Sequence, residues 1–520
     1  MIPAANRGRT RWPGRQGFAL LPVIVAAAGS ALWLWHTPPV GDLAAQQAWA
    51  QLVRRAGDVP WFARWYGGVT VGGYSLITPP LMSLAGVRTI GVIATLFTAA
   101  LATALLAPAR RPRAGATAFA LAAVADLYAG RVTFAAGAAV AFGAVLAAER
   151  RRPRWGAALA VLAALTSPVA GLFLLIPAAV YLLIGGARRR AGLMLGLGAG
   201  LTIAAVAVVF PVGGREPFAD FVFRPALEIP LAAALFPVGR RVRLGLLLAA
   251  LAVAVAYLVP GPVGSNVTRL SLLVAVPTFV AAVRLTTLLA VPVAVVLALW
   301  PWHQLQDDLR AARDASAQPG FSASLINRLV ADRMALTHRI EVVAPRTHWA
   351  ETRLAGSGLS LARGWVRQVD EGRNPQFYGR APLTAGTYRS FLNASAVAYV
   401  AAPKGVPVDF GSGAEAALVR GGVPYLARIW SDQHWDLYAV ADPAPVATGA
   451  ARVTRLTDTG ADLVASGPGD AHLAVRWSPW LVLDGGQVHR DGAWVRLRLR
   501  GSGPHRLHAV WRWPGTAALH

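Results

Sequence analysis

The stretch 110–154, RRPRAGATAFALAAVADLYAGRVTFAAGAAVAFGAVLAAERRRPR, decides the fold. It holds two apolar runs, 114–128 and 132–149, each close to the length that crosses the hydrocarbon core of a bilayer as a helix. A short polar turn, Asp126 to Arg131, separates them, and the arginine clusters Arg110–Arg113 and Arg150–Arg154 bracket the pair. Backbone polar groups must be satisfied internally in lipid, so the stretch reads as a helix that crosses, turns and returns. Both clusters then mark one side of the membrane.

Runs of the same kind continue in both directions, at 18–35, 81–107, 155–169, 171–186, 191–211, 225–238, 244–260, 268–283 and 286–301, which makes about eleven transmembrane helices. The run Phe18 to Trp35 follows the basic stretch Arg7 to Arg15 without an A-x-A cleavage site, so it reads as a retained anchor. With the N-terminus cytoplasmic, the clusters at 110–113, 150–154, 188–190 and 240–243 and the single Arg284 all fall on the cytoplasmic side, as the positive-inside rule asks. The same alternation puts the loop 36–80, the turn 126–131, the loop 212–224, the turn 261–269 and everything after Trp302 on the outer face of the plasma (inner) membrane. The turn at Pro168 is short enough to be re-entrant.

Composition agrees with a membrane chain: of 520 residues 55% are hydrophobic and 14% charged, with a mean hydropathy of +0.47. The net charge of +25 does not point to nucleic acid, because the arginines are clustered between apolar runs and form no stripe; Lys404 is the only lysine. There is no cysteine, which excludes disulfides, thiolate metal sites and cysteine nucleophiles. No P-loop, G-x-S-x-G, HExxH or dinucleotide fingerprint is placed where it would carry chemistry.

The reading divides the chain into a transmembrane helical domain, 1–303, an extracytoplasmic α/β domain, 304–445, and a β-sandwich-like module, 446–520. In the tail a helix is expected over 322–336, with Leu325, Leu329 and Met334 on one face. Strands are expected at Arg339–Val343, Ala396–Ala401, Tyr425–Ile429 and Trp435–Val440, then at 451–456, 472–477, 480–483, 493–499 and 505–512.

Ionisable groups at a membrane face are costly, so they are the candidates for function. Asp42 suits proton abstraction or a divalent cation, although a helix cap for the amphipathic stretch 43–55 is the plainer reading of its spacing. Asp126 with Arg131 suits a phosphate and its metal, or else a salt bridge closing the hairpin. Arg215, Glu216, Asp220 and Arg224 suit the entrance for an anionic substrate, against a solvated loop, which is the plainer reading for most of them. Asn266 and Arg269, at the start of a helix, suit phosphate, against snorkelling to headgroups. The glycine-rich aromatic stretch with Trp65, Tyr66, Tyr74 and Ser75 suits a sugar pocket, against an interfacial aromatic belt.

Several of these residues fall in short runs: Gly41-Asp42-Leu-Ala-Ala, Trp65-Tyr66-Gly-Gly68, Gly73-Tyr74-Ser75-Leu with Pro79-Pro80, Ala129-Gly130-Arg131 and Gly264-Ser-Asn266-Val-Thr-Arg269-Leu. With His348-Trp349, Leu361-Ala-Arg363-Gly-Trp365, Arg373-Asn374-Pro375-Gln-Phe377-Tyr378 and Thr384-Ala-Gly-Thr387-Tyr388 in the tail, they resemble a group of actinobacterial membrane proteins. Its members are labelled hypothetical or related to 6-pyruvoyl-tetrahydropterin synthase, and their membrane part is similar to GT-C glycosyltransferases. The resemblance implies transfer of a sugar from a polyprenyl-phosphate donor to a cell-envelope glycan or lipid acceptor on the outer face. It makes Asp42 the catalytic base or metal ligand, Asp126 a second acid, Arg131, Asn266 and Arg269 the donor-phosphate site, and Trp65, Tyr66, Tyr74 and Ser75 the pocket. A divalent cation, Mg or Mn, would be held by Asp42 and Asp126. This chain has Gly41-Asp42-Leu43 where the stronger pattern pairs two acids. It has no histidine cluster suited to pterin chemistry. A transporter or flippase of lipid-linked precursors and a non-enzymatic envelope assembly scaffold are the alternatives from other classes.

Overall fold

The computed structural model describes residues 20–211 and 213–511; the basic stretch Arg7 to Arg15 and the start of the first apolar run lie outside them. Among the described residues six helices are long and apolar enough to cross a membrane: Val87–Leu106, Val132–Glu149, Gly186–Val209, Arg240–Leu258, Gly264–Ala282 and Thr287–Ala311. Leu20–Trp35 and Pro168–Ile184 are shorter apolar helices. Large apolar side chains stay on their outer faces, Leu201 at 66% and Leu288 at 84% exposure, which in water would be a liability and in lipid is the normal state. The chain is a multi-pass membrane protein.

Small residues let these helices approach. A side chain at Gly198 would stand 2.9 Å from the Ala157 carbonyl, and one at Gly192 would stand 2.8 Å from that of Ala178. The arginine clusters gather at one end of the bundle. The Arg111 N–H donates to Ala281 O at 3.1 Å, the Arg284 N–H to Pro237 O at 2.9 Å, and Arg188 pairs with Glu149 at 2.6 Å. Tyr181, which donates to Glu149, lies within electrostatic reach of Arg241. The loops assigned above to the outer face lie at the opposite end, against the tail.

The tail begins as the helix Thr287–Ala311 leaves the bundle. Its first module is a five-stranded sheet in the order Ser360–Leu361, Arg339–Val342, Val397–Pro403, Trp435–Val440, Leu426–Ser431, the first two pairings parallel and the rest antiparallel. The helix expected over 322–336 is two helices, Pro319–Val330 and Arg333–Thr337. The Asp332 carboxylate accepts from the Met334 N–H at 2.9 Å and starts the second. Leu325 and Leu329 are buried while Met334 is 43% exposed, because that break turns its face away.

The second module packs two four-stranded antiparallel sheets face to face. One runs Leu481–Leu483, Gly503–Ala509, Ala461–Ala465, Ala451–Leu456, and the other Gly486–Asp491, Trp494–Leu499, Gly469–Arg476, Ala447–Gly449. Leu463, Leu473, Val495 and Leu507 fill the space between them.

Tail and bundle share a core. Trp49, Phe62, Trp65 and Tyr66 from the segment 36–80 are buried with Leu325, Ile340 and Trp435 of the tail. Arg64 pins this segment to both modules. It reaches Asp458 Oδ1 at 2.9 Å, Leu456 O at 2.9 Å and Ser360 Oγ at 3.3 Å, and donates to Gly358 O. The tail is therefore docked on the membrane part by buried contacts and does not hang from it by a linker.

Candidate functional site

The site is built where three bundle segments and the tail meet. Asp42 lies in the first turn of the helix Gly41–Ala56, whose N-cap is Val40, so the carboxylate does not cap that helix. It accepts from Arg131 Nε at 3.2 Å. Arg131 starts the helix Val132–Glu149, and the residue before it makes the approach possible. Gly130 holds φ at +77°, and a side chain there would stand 2.6 Å from Val40 and 2.9 Å from the Leu43 nitrogen. The same guanidinium faces Asp126 at 3.8 Å and Asp308, at the end of the last apolar helix, at 3.4 Å. Arg131 is thus a hub for three carboxylates.

The tail holds the start of the Asp42 helix. Trp365 Nε1 donates to Gly41 O at 2.9 Å, Trp349 Nε1 to Pro39 O at 2.8 Å, and Thr352 Oγ1 to Ala44 O at 3.0 Å. Beside it, Tyr74 takes a hydrogen bond from Gln46, whose carbonyl accepts from Thr133 Oγ1 at 2.5 Å.

Arg269 supplies a second cation. It is carried on Gly264–Ala282, a broken helix with a 3-10 start and a wide turn at Ser271–Ala275. Pro277 follows that turn and has no N–H to give the Leu273 carbonyl, which favours the wider winding. The Arg269 guanidinium stands 4.9 Å over the Phe134 ring and, among the described residues, has no hydrogen bond or ion pair. It lies within electrostatic reach of Asp42, Asp126, Arg131 and Tyr74.

Glu216 enters from the loop between helices and is not the solvated residue its sequence suggests. That loop is clamped between the tail and the turn at 261–266. The Arg215 N–H donates to Gln368 O at 3.1 Å and the Glu216 N–H to Gly261 O at 2.9 Å. Gly214, at φ +89°, lies so near that a side chain would overlap the Gln368 carbonyl at 1.7 Å. Burial pushes the Glu216 carboxyl up to about 7, against the pull of Arg367 and of Ser265. Glu216 also feels Asp42 and Arg269, so it belongs to the same cleft.

Arg367 comes from the tail, paired with Asp409 at 2.8 Å. Asp409 also faces His348 Nε2 at 3.3 Å, and His348 Nδ1 meets Glu351 at 2.7 Å. The imidazole stacks on Trp365 at 3.6 Å between ring centres, so this buried group braces the indole that holds Gly41. Burial opposes a charge on His348, but Glu351 and Asp409 outweigh it and raise the imidazole to about 9. Burial likewise pushes the Asp409 carboxyl up, and Arg367 and His348 hold it well below the usual carboxylate range. The His348 value exceeds its unfolded value near 6.5. The stabilisation is therefore full below about pH 6.5 and lost as pH rises through about 9, with a size of about 3 kcal/mol. Thermal unfolding of the purified protein between pH 6 and 10 is expected to show this alkaline loss, flattened in His348→Gln.

Of the residues singled out from sequence, the structure brings Asp42, Asp126, Arg131, Arg269 and Tyr74 together. Asn266, in the 3-10 turn Gly264–Thr268, lies at the edge of the cleft and is half-buried. Three others have structural surroundings. Trp65 and Tyr66 are in the shared core, the Tyr66 hydroxyl donating to Val366 O at 3.2 Å. Ser75 is buried, donating to Thr166 O at 2.7 Å and accepting from the Thr78 N–H at 3.0 Å. Neither pair of contacts leaves these side chains open to a ligand. Glu216 was weighed from sequence and set down as a solvated residue; Asp308, Arg367 and His348 were not given a role from their own chemistry, and the pair Asp307-Asp308 closing the last apolar run is the local signal that marks one of them.

Asp42 and Asp126, the pair the sequence offered for a divalent cation, both face the Arg131 guanidinium, at 3.2 Å and 3.8 Å. Among the described residues no group of three or more His, Asp or Glu side chains is arranged to hold a metal ion.

No family model matches the sequence, and no curated protein matches it; neither comparison points to the actinobacterial group or to the pterin-synthase label. Among solved structures the chain is similar to the crystal structure of ArnT from Cupriavidus metallidurans bound to undecaprenyl phosphate. The identity is 12%, the match covers 83% of this chain and 99% of that one, and the TM-score is 0.43.

Proposed function

We propose that the chain is a GT-C-type integral membrane glycosyltransferase that moves a sugar from a polyprenyl-phosphate donor to a cell-envelope acceptor on the outer face. The observation that carries this reading is the cleft itself. At the edge of the bundle it places a carboxylate, Asp42, within electrostatic reach of a guanidinium, Arg269, that makes no ion pair among the described residues. A lipid-linked phosphate, a diester in the donor and a monoester once the sugar has left, would bring negative charge to that place from the membrane side.

In this reading Arg269, with Asn266 at the edge, holds the donor phosphate, and Arg131 adds positive charge while keeping Asp42 oriented. The acceptor hydroxyl oxygen forms the new bond to the anomeric carbon, and its proton goes to the Asp42 carboxylate. The bond from the anomeric carbon to the phosphate oxygen breaks, and the electron pair leaves with the polyprenyl phosphate. Asp126, buried behind Arg131, fixes the guanidinium. Tyr74 and Arg367 line the cleft, the latter delivered by the tail. Eleven membrane crossings, with the N-terminus cytoplasmic and the tail extracytoplasmic, belong to the same proposal. They follow the arginine clusters at one end and the tail at the other. The shared core between tail and bundle favours an enzyme completed by its tail over a scaffold that is only anchored.

The test is direct. Purified protein is expected to bind a polyprenyl phosphate and not the corresponding uncharged polyprenol, and Arg269→Gln is expected to weaken that binding about tenfold. Transfer from a polyprenyl-phosphate sugar is expected to persist in excess EDTA, since Arg131 carries the charge a cation would bring. Equal binding of the phosphate and the alcohol would overturn the reading.

A further inference from the structure

At the arginine-rich end of the bundle, at the other end of the helix that carries Asp126, the starts of two helices line one groove. Pro112–Tyr128 touches the helix Val276–Ala282 so closely that a side chain at Gly115 would stand 2.4 Å from the Ala281 methyl. The start of the first of these and the start of Thr287–Ala311 line an open groove. Its wall is apolar, formed by Val280, Ala290, Val291 and Ala294, and its mouth carries Arg111 and Arg113. Arg111 is fixed there by its guanidinium donating to the Leu285 carbonyl and by its N–H donating to Ala281.

The segments that form this mouth are rich in arginine and carry no acid. The sequence holds no Asp or Glu between residues 59 and 125 or between 229 and 306, which are the segments that build the groove. Arg111 spends one donor on a carbonyl and none on a carboxylate. The exposed Arg110 and Arg284 stand on the same segments. An apolar slot between bundle helices, with arginines at its mouth, matches one kind of occupant.

We propose that this groove is a binding site for an anionic phospholipid, one acyl chain lying along Val280, Ala290, Val291 and Ala294 and the phosphate against Arg111. A net negative headgroup answers the excess of arginine; a zwitterionic one brings its own cation and does not. The N-terminal stretch Arg7 to Arg15 is itself basic, so charge disfavours it as the occupant. The site is independent of the transferase reading.

The test uses the full-length protein in a neutral detergent. Thermal unfolding is followed while phosphatidylglycerol or phosphatidylcholine with the same acyl chains is titrated in. Phosphatidylglycerol is expected to raise the unfolding temperature saturably and phosphatidylcholine to leave it nearly unchanged. Arg111→Gln is expected to raise the half-saturating concentration about fivefold, and Ala294→Phe, which fills the slot, to remove the response. Arg154→Gln, at the same end on other helices, serves as a charge control and is expected to keep it. Should Ala294→Phe fail to fold, Val291→Phe on the open side of the groove takes its place. Equal stabilisation by the two lipids, an unchanged response in Arg111→Gln, or the same shift from inorganic phosphate alone would each overturn the proposal.

Discussion

Asp42→Asn is expected to lower kcat for transfer from a polyprenyl-phosphate sugar by about 10²–10⁴-fold, the usual contribution of a positioned general base, while the protein folds and expresses normally. The separation of activity from stability follows from the surroundings of Asp42. It does not cap its helix, so the amide costs no cap. Its one ion pair, to Arg131 at 3.2 Å, is half-open to solvent and contributes about 0–1 kcal/mol. KM for the donor is expected to change little, because the phosphate rests on Arg269. Full activity in the purified variant would remove Asp42 from the chemistry and leave Glu216 and Asp308, further acids of the cleft, as candidates for the base.

The largest effect on stability is expected at Arg363. Its guanidinium is buried, with Nη2 2.8 Å from Asp370, Nη1 2.8 Å from Glu415 and 3.5 Å from Glu341. It also lies 4.0 Å over the Phe377 ring. Asp370 is further held by Asn374 and Tyr378, and Glu415 by the Tyr388 hydroxyl. Burial and the neighbouring Glu415 keep the Glu341 carboxyl well above its ordinary range, so Glu341 holds a proton there. Arg363→Met would leave buried carboxylates without a cation, at a cost of about 3–5 kcal/mol, a large share of a domain's net stability. Loss of folded protein, or a sharply lowered unfolding temperature, is the expected result, with Arg363→Lys between it and the native protein because it restores charge but not the fork.

The two substitutions also separate what each part of the site depends on. Asp42 is set in place by the tail through Trp365, Trp349 and Thr352, and Trp365 is in turn stacked on His348. Damage to the tail should therefore reach the cleft, whereas damage at Asp42 should not reach the tail.

How far the sequence could be read follows from the range over which each interaction acts. Hydrophobic length and arginine placement are properties of a single segment, and lipid enforces them segment by segment. The apolar helices and the gathering of arginines at one end were legible for that reason. The strands at 339–342, 397–403, 426–431 and 435–440 were legible too, because alternation and turn residues report local backbone preference. The break at Asp332 was not, since its cap competes with an otherwise continuous helical face. The glycine turn at Gly130 and the apposition of Asp126 with Arg131 lie within a few residues and could be seen.

The remainder of the site could not. Asp42 meets Arg131 across 89 positions, Arg131 meets Asp308 across 177, and Trp365 meets Gly41 across 324. Each partner carries an ordinary local environment in sequence, and Glu216 in particular reads as a solvated acid among charged neighbours. Only the docking of the tail on the segment 36–80 and on the loop at Gly214 desolvates that carboxyl and raises it. The same docking turns the aromatic run at Trp65 and Tyr66 inward, into a core. The sequence by itself determined a helical membrane part with its arginines on one side and a β-containing tail. The tertiary structure alone decided which charges share a cleft, because ion pairing and burial depend on distance in space, and distance in sequence does not set it.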